Sequence, residues 1–178
     1  YFTVNQDKLE SVGIESIFST YYAFAYLLLD SSVVCSGKDE YGGSCNFDPA
    51  IARRISANVT FVAASSGAFA ALKKDKTAVA WGSNDRGGDT AAVEHLLYNV
   101  SSIYSMAHGF AALCEGGRAV MWAKGSTCII SMGVERIEVT QNNMLAFLDT
   151  GEVTIIDVGS CIPNWKSFNY GSMSDIIE

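Results

Sequence analysis

The sequence predicts an all-β fold: β-propeller blades of antiparallel strands, about four repeats within 178 residues. Three observations predict it. One pattern recurs four times, at 22–45, 67–93, 109–128 and 144–161. In each copy an apolar run meets a short turn rich in Asp, Gly or Lys, then a second apolar run, then a loop with Gly and Ser. A further β-type run precedes each copy: IESIFS (14–19), VTFVAA (59–64), VSSIYS (100–105) and VERIEV (134–139). Finally, a unit of about 40 residues with three or four antiparallel strands has the length of a propeller blade.

The strands follow from residue type. Val, Ile, Phe, Tyr and Trp crowd the apolar runs, and several runs alternate in polarity. The first-run anchors are Phe24, Phe69, Phe110 and Leu145, separated by 45, 41 and 35 residues. The intervening turns LDSS, KKDKT, CEGGR and DTGE suit hairpins, because Gly and Asp tolerate positive φ. Pro49 and Pro163 fall in loops between units. Short helices fit the same loops, at 48–56 and 90–99; in the second, Ala92, Val93, Leu96 and Leu97 keep a helical spacing. The reading is a single repeat domain over 1–178, with repeats at roughly 11–57, 58–98, 99–133 and 134–172. Residues 1–10 resemble the outer part of an earlier blade and 171–178 the opening strand of a later one. A segment of a longer propeller is therefore favoured over a small closed ring. A lone sheet cannot bury both faces; stacked blades bury each other's, with AVA and FAAL filling the seams.

Composition narrows the function. About half the residues are apolar and 17% are charged, which argues against disorder. Mean hydropathy is slightly positive, as for a subunit with a permanent partner. The formal charge of −7, with Lys73, Lys74 and Lys76 as the one basic cluster, argues against nucleic acid. The longest apolar stretch, 21–29, is too short to span a membrane. Five cysteines, at 35, 45, 114, 128 and 161, fit neither a zinc site nor a redox pair. Small buried thiols are the expectation, although Cys35 and Cys45 could meet across one blade.

No constellation of side chains supports catalysis, a cofactor or a metal. His95 and His108 have no nucleophile beside them. The loop 84–89, NDRGGD, lacks the alternating oxygen ligands of a calcium loop and the Gly-Lys-Ser/Thr of a phosphate loop. Its structural reading places Gly87 and Gly88 at positive φ, with Asn84 or Asp85 bonding backbone amides. Asn58-Val59-Thr60 and Asn99-Val100-Ser101 match glycan-acceptor triplets. Both sit just before a first strand, so repeat equivalence accounts for the coincidence and secretion is not inferred from them.

Trp81-Gly82-Ser83-Asn84-Asp85-Arg86-Gly87 reads W-G-x-N-x-x-G, and residues 36–42 (SGKDEYG) echo it. This resembles the repeat of the regulator of chromosome condensation family, whose members build seven-bladed propellers. The third unit keeps Trp122 with Ala123 for Gly, and the fourth has lost the pair. The usual continuation Gly-Gln-Leu-Gly is replaced by Gly88-Asp89 and Gly43-Ser44, and the family's His is absent, His108 lying one residue early. The style is similar to a divergent algal or protist branch. The resemblance implies tryptophans packed within or between blades. It also implies a non-enzymatic protein-interaction or scaffold module, a peripheral subunit of a larger assembly, organellar (chloroplast) or photosynthetic by the algal style alone. The alternative is a regulator of an enzyme or small GTPase, since the family includes an exchange factor and a β-lactamase inhibitor. The clustered tryptophans of the family's plant ultraviolet-B photoreceptor are missing here. If loops make the contact, Tyr41, Asp85, Arg86 and Lys124, which follow the second apolar run of successive units, are the candidates and should line one rim.

Overall fold

The structure is a computed structural model that describes residues 6–46, 48–123, 126–130 and 132–158, and the backbone of 164–166. It contains four antiparallel sheets in sequence order. Blade 1 is β1 (Ile14–Ser19), β2 (Ala23–Leu28) and β3 (Val33–Gly37). Blade 2 is β4 (Val59–Ala64), β5 (Ala68–Lys73) and β6 (Ala78–Gly82). Blade 3 adds a fourth strand: β7 (Val100–Met106), β8 (Gly109–Cys114), β9 (Arg118–Ala123) and β10 (Ser126–Ile130). Blade 4 is β11 (Val134–Val139), β12 (Asn143–Leu148), β13 (Val153–Asp157) and β14 (Asn164–Lys166). The first strands β1, β4, β7 and β11 approach one another in order, so they form the inner edge of the arc.

Hairpin tips are fixed by local chemistry. Asp30 accepts from the Ser32 amide at 2.9 Å, and Asp75 accepts from the Thr77 amide at 3.0 Å. Hydrogen bonds from the Ser32 and Thr77 hydroxyls are the largest cause holding these carboxyls below the ordinary aspartate range. The tips are therefore fully formed above about pH 4 and loosen as pH falls through the lowered pKa.

Three apolar clusters fill the three seams. Ala25, Leu27, Val62, Phe69 and Trp81 lie in the first; Ala70, Ile103, Phe110 and Trp122 in the second; Ala111, Met121, Ile137 and Met144 in the third. Small alanines on the second strands let the sheets approach closely.

Two belts of backbone hydrogen bonds join the blades. On one rim the Tyr21 amide donates to Ser66 O, Ser66 N to Ala107 O, and Ala107 N to Gln141 O. On the other rim Val59 N donates to Ser31 O, Val100 N to Lys76 O, and Val134 N to Gly117 O.

The anchors come out in register with one exception. Phe24, Phe69 and Phe110 pair with Ser19, Ala64 and Ser105 on the first strands. The residue that pairs with Val139 in blade 4 is Met144, not Leu145. A shift of one residue moves a side chain to the opposite face of the sheet. Met144 is accordingly fully buried in the third seam, and Leu145 is half-buried on the far face. Of residues 1–10, expected as the outer part of an earlier blade, 6–10 lie instead in a helix, α1 (Gln6–Val12). The proposed loop helix at 48–56 is α2 (Pro49–Ile55), capped by Asp48 on the Ala50 amide. In 90–99 there is only a single 3-10 turn, Glu94–Leu96. The expected strand at 171–178 lies outside the described residues.

Cys35 and Cys45 form a disulfide with a Cα separation of 5.7 Å, which replaces the expectation of buried thiols for this pair. It ties the end of β3 to the loop that follows. Cys114 is a buried free thiol, as expected for a small core residue.

The tryptophans lock the seams. Trp81 stacks on Phe69 with centroids 5.4 Å apart, and its Nε1 donates to Gly42 O of blade 1 at 3.2 Å. Trp122 repeats this with Phe110 at 5.6 Å and Gly87 O of blade 2 at 3.0 Å. Gly42 and Gly87 have φ of +87° and +91°, and a Cβ there would come within 2.7 and 2.8 Å of the facing Phe ring. Gly87→Ala should therefore lower the unfolding free energy by about 2–4 kcal/mol, from backbone strain and overpacking together. Trp81→Phe, which keeps the ring stack but strands the Gly42 carbonyl, should cost about 1–3 kcal/mol. Urea titrations of the two variants against the parent check both.

Candidate protein-contact rim

The loops after β3 and β6 leave the sheets on the same rim. Each makes a 3-10 turn, Asp39–Tyr41 and Asn84–Arg86, ending on its locking glycine. Backbone bonds close the second loop: Arg86 N and Gly88 N both donate to Ser83 O. The expected role of Asn84 or Asp85 side chains in this loop is not seen among the described bonds. Gly87 has the expected positive φ but Gly88 does not. Gly88 is needed for close approach instead, since a Cβ there would sit 2.4 Å from Gly82 O.

Blade 3 shows how the departure at Ala123 is tolerated. Gly82 pairs with Ala68, whereas Ala123 pairs with Gly109. The glycine has crossed the ladder, and a Cβ on Gly109 would lie 2.5 Å from Cβ of Ala123. One of the two partners must be glycine, and either serves.

Three of the four residues expected to make contacts are placed by the structure; Lys124 lies outside the described residues. Tyr41 and Arg86 come together over Gly67, where a Cβ would be 3.1 Å from Tyr41 Cδ1 and 2.9 Å from Arg86 Cγ. Arg86 is not wholly free for a partner: its Nη1 donates to the Ser66 hydroxyl at 2.8 Å, and its carbonyl accepts from Ser65. Asp85 is exposed beside it.

The sequence reading missed the neighbours that complete this patch. Tyr22 packs edge-on against Tyr41 at 4.7 Å, and Lys38 Nζ sits 4.4 Å over the Tyr22 ring. Tyr21 and Tyr22 are 72% and 49% exposed. The signal was present, because two tyrosines at 21–22 occupy a turn where blade 2 has Ser66 and Gly67. Tyrosine and arginine are among the residue types enriched at protein contacts.

Next to this patch a groove of about 800 Å³ runs between the two loops and α2. Asp39, Glu40, Asp48 and Asp89 line it, with Arg54. Arg54 is paired with Glu94 and donates to Ala78 O at 2.9 Å, so it fastens α2 to blade 2. Among the described residues no group of three or more His, Cys, Asp and Glu could hold a metal. No described helix is long and apolar enough to cross a membrane.

The fold can be compared with known structures. The chain is similar to human WBSCR16, with TM-score 0.55 and 15% identity over 82% of this chain and 48% of that one. It is similar to Prp20p from Saccharomyces cerevisiae, the yeast RCC1, at 0.54 and 14% over 85% and 45%. It is similar to the ectodomain of the Physcomitrella patens receptor kinase CR4 at 0.52 and 15% over 86% and 43%.

The fold is that of the regulator of chromosome condensation propellers.

The chain spans a little under half the length of each of these structures. No family model matches the sequence, and no curated protein matches it. The likeness is one of fold and does not extend to an algal or protist branch.

If the rim makes contacts, replacing Tyr41, Asp85, Arg86 and Lys124 together by alanine should abolish retention of the native partner, read by co-purification. Arg86→Ala alone should also cost about 1 kcal/mol of stability through the lost Ser66 bond.

Proposed function

We propose that this chain is a non-enzymatic protein-interaction module, a peripheral subunit of a larger assembly, whose open blade 1 face receives a further blade-like sheet. One observation carries the reading. Ile17 and Phe24 are 56% and 44% exposed, although their register equivalents in the next blade, Val62 and Phe69, are both 0% exposed against a preceding blade. Full burial of a Phe contributes about 1.5–3 kcal/mol, and a covering surface would gain the part of it that Phe24 still leaves exposed.

The residue differences on this face support the reading. Ser36 stands where Trp81 and Trp122 stand in the next blades, and Tyr26 stands where they have Ala71 and Ala112. Tyr26 Oη and Ser36 Oγ bond at 3.1 Å. Aromatic bulk has moved from the third strand to the second, so an incoming sheet meets a tyrosine face and no indole lock. The two backbone belts fix its position: it would donate to Tyr21 O on one rim and accept from Ile14 N on the other. Both groups occupy the places that Ser66 O and Val59 N hold in blade 2.

Ile17→Glu with Phe24→Glu should leave far-ultraviolet circular dichroism unchanged and release the partner on size-exclusion chromatography. A native protein that runs as a monodisperse monomer, with no retained chain, would defeat the reading.

The second reading is a regulator of an enzyme or small GTPase through the loops, supported by the tyrosine–lysine–arginine patch. The Prp20p structure is described with that protein's binding to Gsp1p and histones. Acceleration of nucleotide release from a small GTPase by the isolated chain would favour this reading over the first.

A further inference from the structure

We propose that Asn58 and Asn99 carry N-linked oligosaccharides, and that the chain matures in an oxidising secretory compartment. The inference stands apart from the docking reading and rests on a comparison of four equivalent corners. The tripeptides are Gly13-Ile14-Glu15, Asn58-Val59-Thr60, Asn99-Val100-Ser101 and Gly133-Val134-Glu135. Each opens the first strand of a blade. The leading residue has φ of 89°, 61°, 51° and 82° in the four blades, and its carbonyl accepts from the hairpin tip at Leu29, Lys74, Glu115 and Asp149. The third residue falls in a register shift in every blade.

The fold alone explains a residue tolerant of positive φ at the first position, and Gly or Asn satisfies it. It does not explain the third position. The Thr60 and Ser101 hydroxyls donate to Leu72 O and Leu113 O at 3.2 and 2.8 Å. Glu15 and Glu135 are carboxylates without that donor, and their corners form the same shift. The bulge therefore does not require a hydroxyl. Yet the two positions change together: glycine goes with glutamate, and asparagine goes with threonine or serine. What distinguishes the second pair from the first is an acceptor triplet, with Val and not Pro at its centre.

Two further observations agree. Asn58 and Asn99 are exposed, on the rim opposite the loops that carry Tyr41 and Arg86. The Cys35–Cys45 disulfide is almost fully buried, at 7% and 3% exposure. Such bonds persist in the compartments where oligosaccharide is transferred to protein and are rare in reducing ones. In the transfer, the asparagine Nδ2 forms a bond to the anomeric carbon of an oligosaccharide carried on a lipid diphosphate. The sugar–phosphate bond breaks, the lipid diphosphate leaves with the electron pair, and the amide proton passes to a base of the transferase. This placement differs from the organellar one that the style of the repeats suggests, and the two give different results below.

The native protein is digested with trypsin, and peptides 55–73 and 87–118 are analysed by mass spectrometry before and after enzymatic removal of N-glycans in heavy-oxygen water. Both peptides are expected only after removal, with Asn58 and Asn99 converted to labelled aspartate. Recovery of both as unmodified asparagine peptides without treatment overturns the proposal. The chain directed through a eukaryotic secretory route gives a second readout. Asn58→Gly and Asn99→Gly, substitutions that blades 1 and 4 already contain, should each remove one glycan step on a denaturing gel. Thr60→Glu and Ser101→Glu should do the same with the asparagine retained. A secreted product whose mobility is indifferent to glycan removal overturns it equally.

Discussion

A hydrogen bond across each of two seams, from an indole to the carbonyl of a left-handed glycine, is the constraint on which the arrangement of blades depends. Trp81 reaches Gly42 and Trp122 reaches Gly87. The indole N–H is buried and must find an acceptor. The acceptor is available only if the preceding loop turns sharply enough to aim a carbonyl into the seam. The glycine makes that turn and also leaves room for the Phe ring beneath. Tryptophan and glycine of the motif thus serve different seams: the tryptophan faces the blade before it, and the glycine faces the blade after.

The third seam, between blades 3 and 4, works without this device. Met144 and Ile156 stand where blades 2 and 3 have Phe and Trp. Both are buried with Met121, Ala111 and Ile137. Flexible methionines can fill an interface that lacks a fixed aromatic pair. Loss of the Trp-Gly pair in the fourth unit is therefore a change in the means of packing and leaves the stacking itself intact.

Much of the architecture was legible in the sequence because it is written in strand-length apolar runs and hairpin turns. Phe24, Phe69 and Phe110 could be matched by eye, since each begins its run beside an alanine or glycine. Leu145 was misplaced because Met-Leu-Ala-Phe-Leu is apolar at every position, and an unbroken apolar run carries no register. The disulfide was open in the sequence because pairing depends on where a loop returns, which no local pattern encodes. The candidate patch was half legible: Tyr41 and Arg86 follow from their place in the repeat. Tyr22 and Lys38 join them only through the packing of one loop on another. The lock itself could not be read, because its two halves lie 39 residues apart in the chain.

The two backbone belts give the arc a direction. In the belt on one rim each amide points to the following blade, and in the belt on the other each points back. Growth of such a stack is vectorial: a newcomer at blade 1 must present a donor on one rim and an acceptor on the other. Two copies set face to face with their rims aligned would oppose carbonyl to carbonyl at Tyr21. This polarity adds a directional condition to the apolar one for any sheet that stacks on blade 1, and it disfavours self-pairing of that kind.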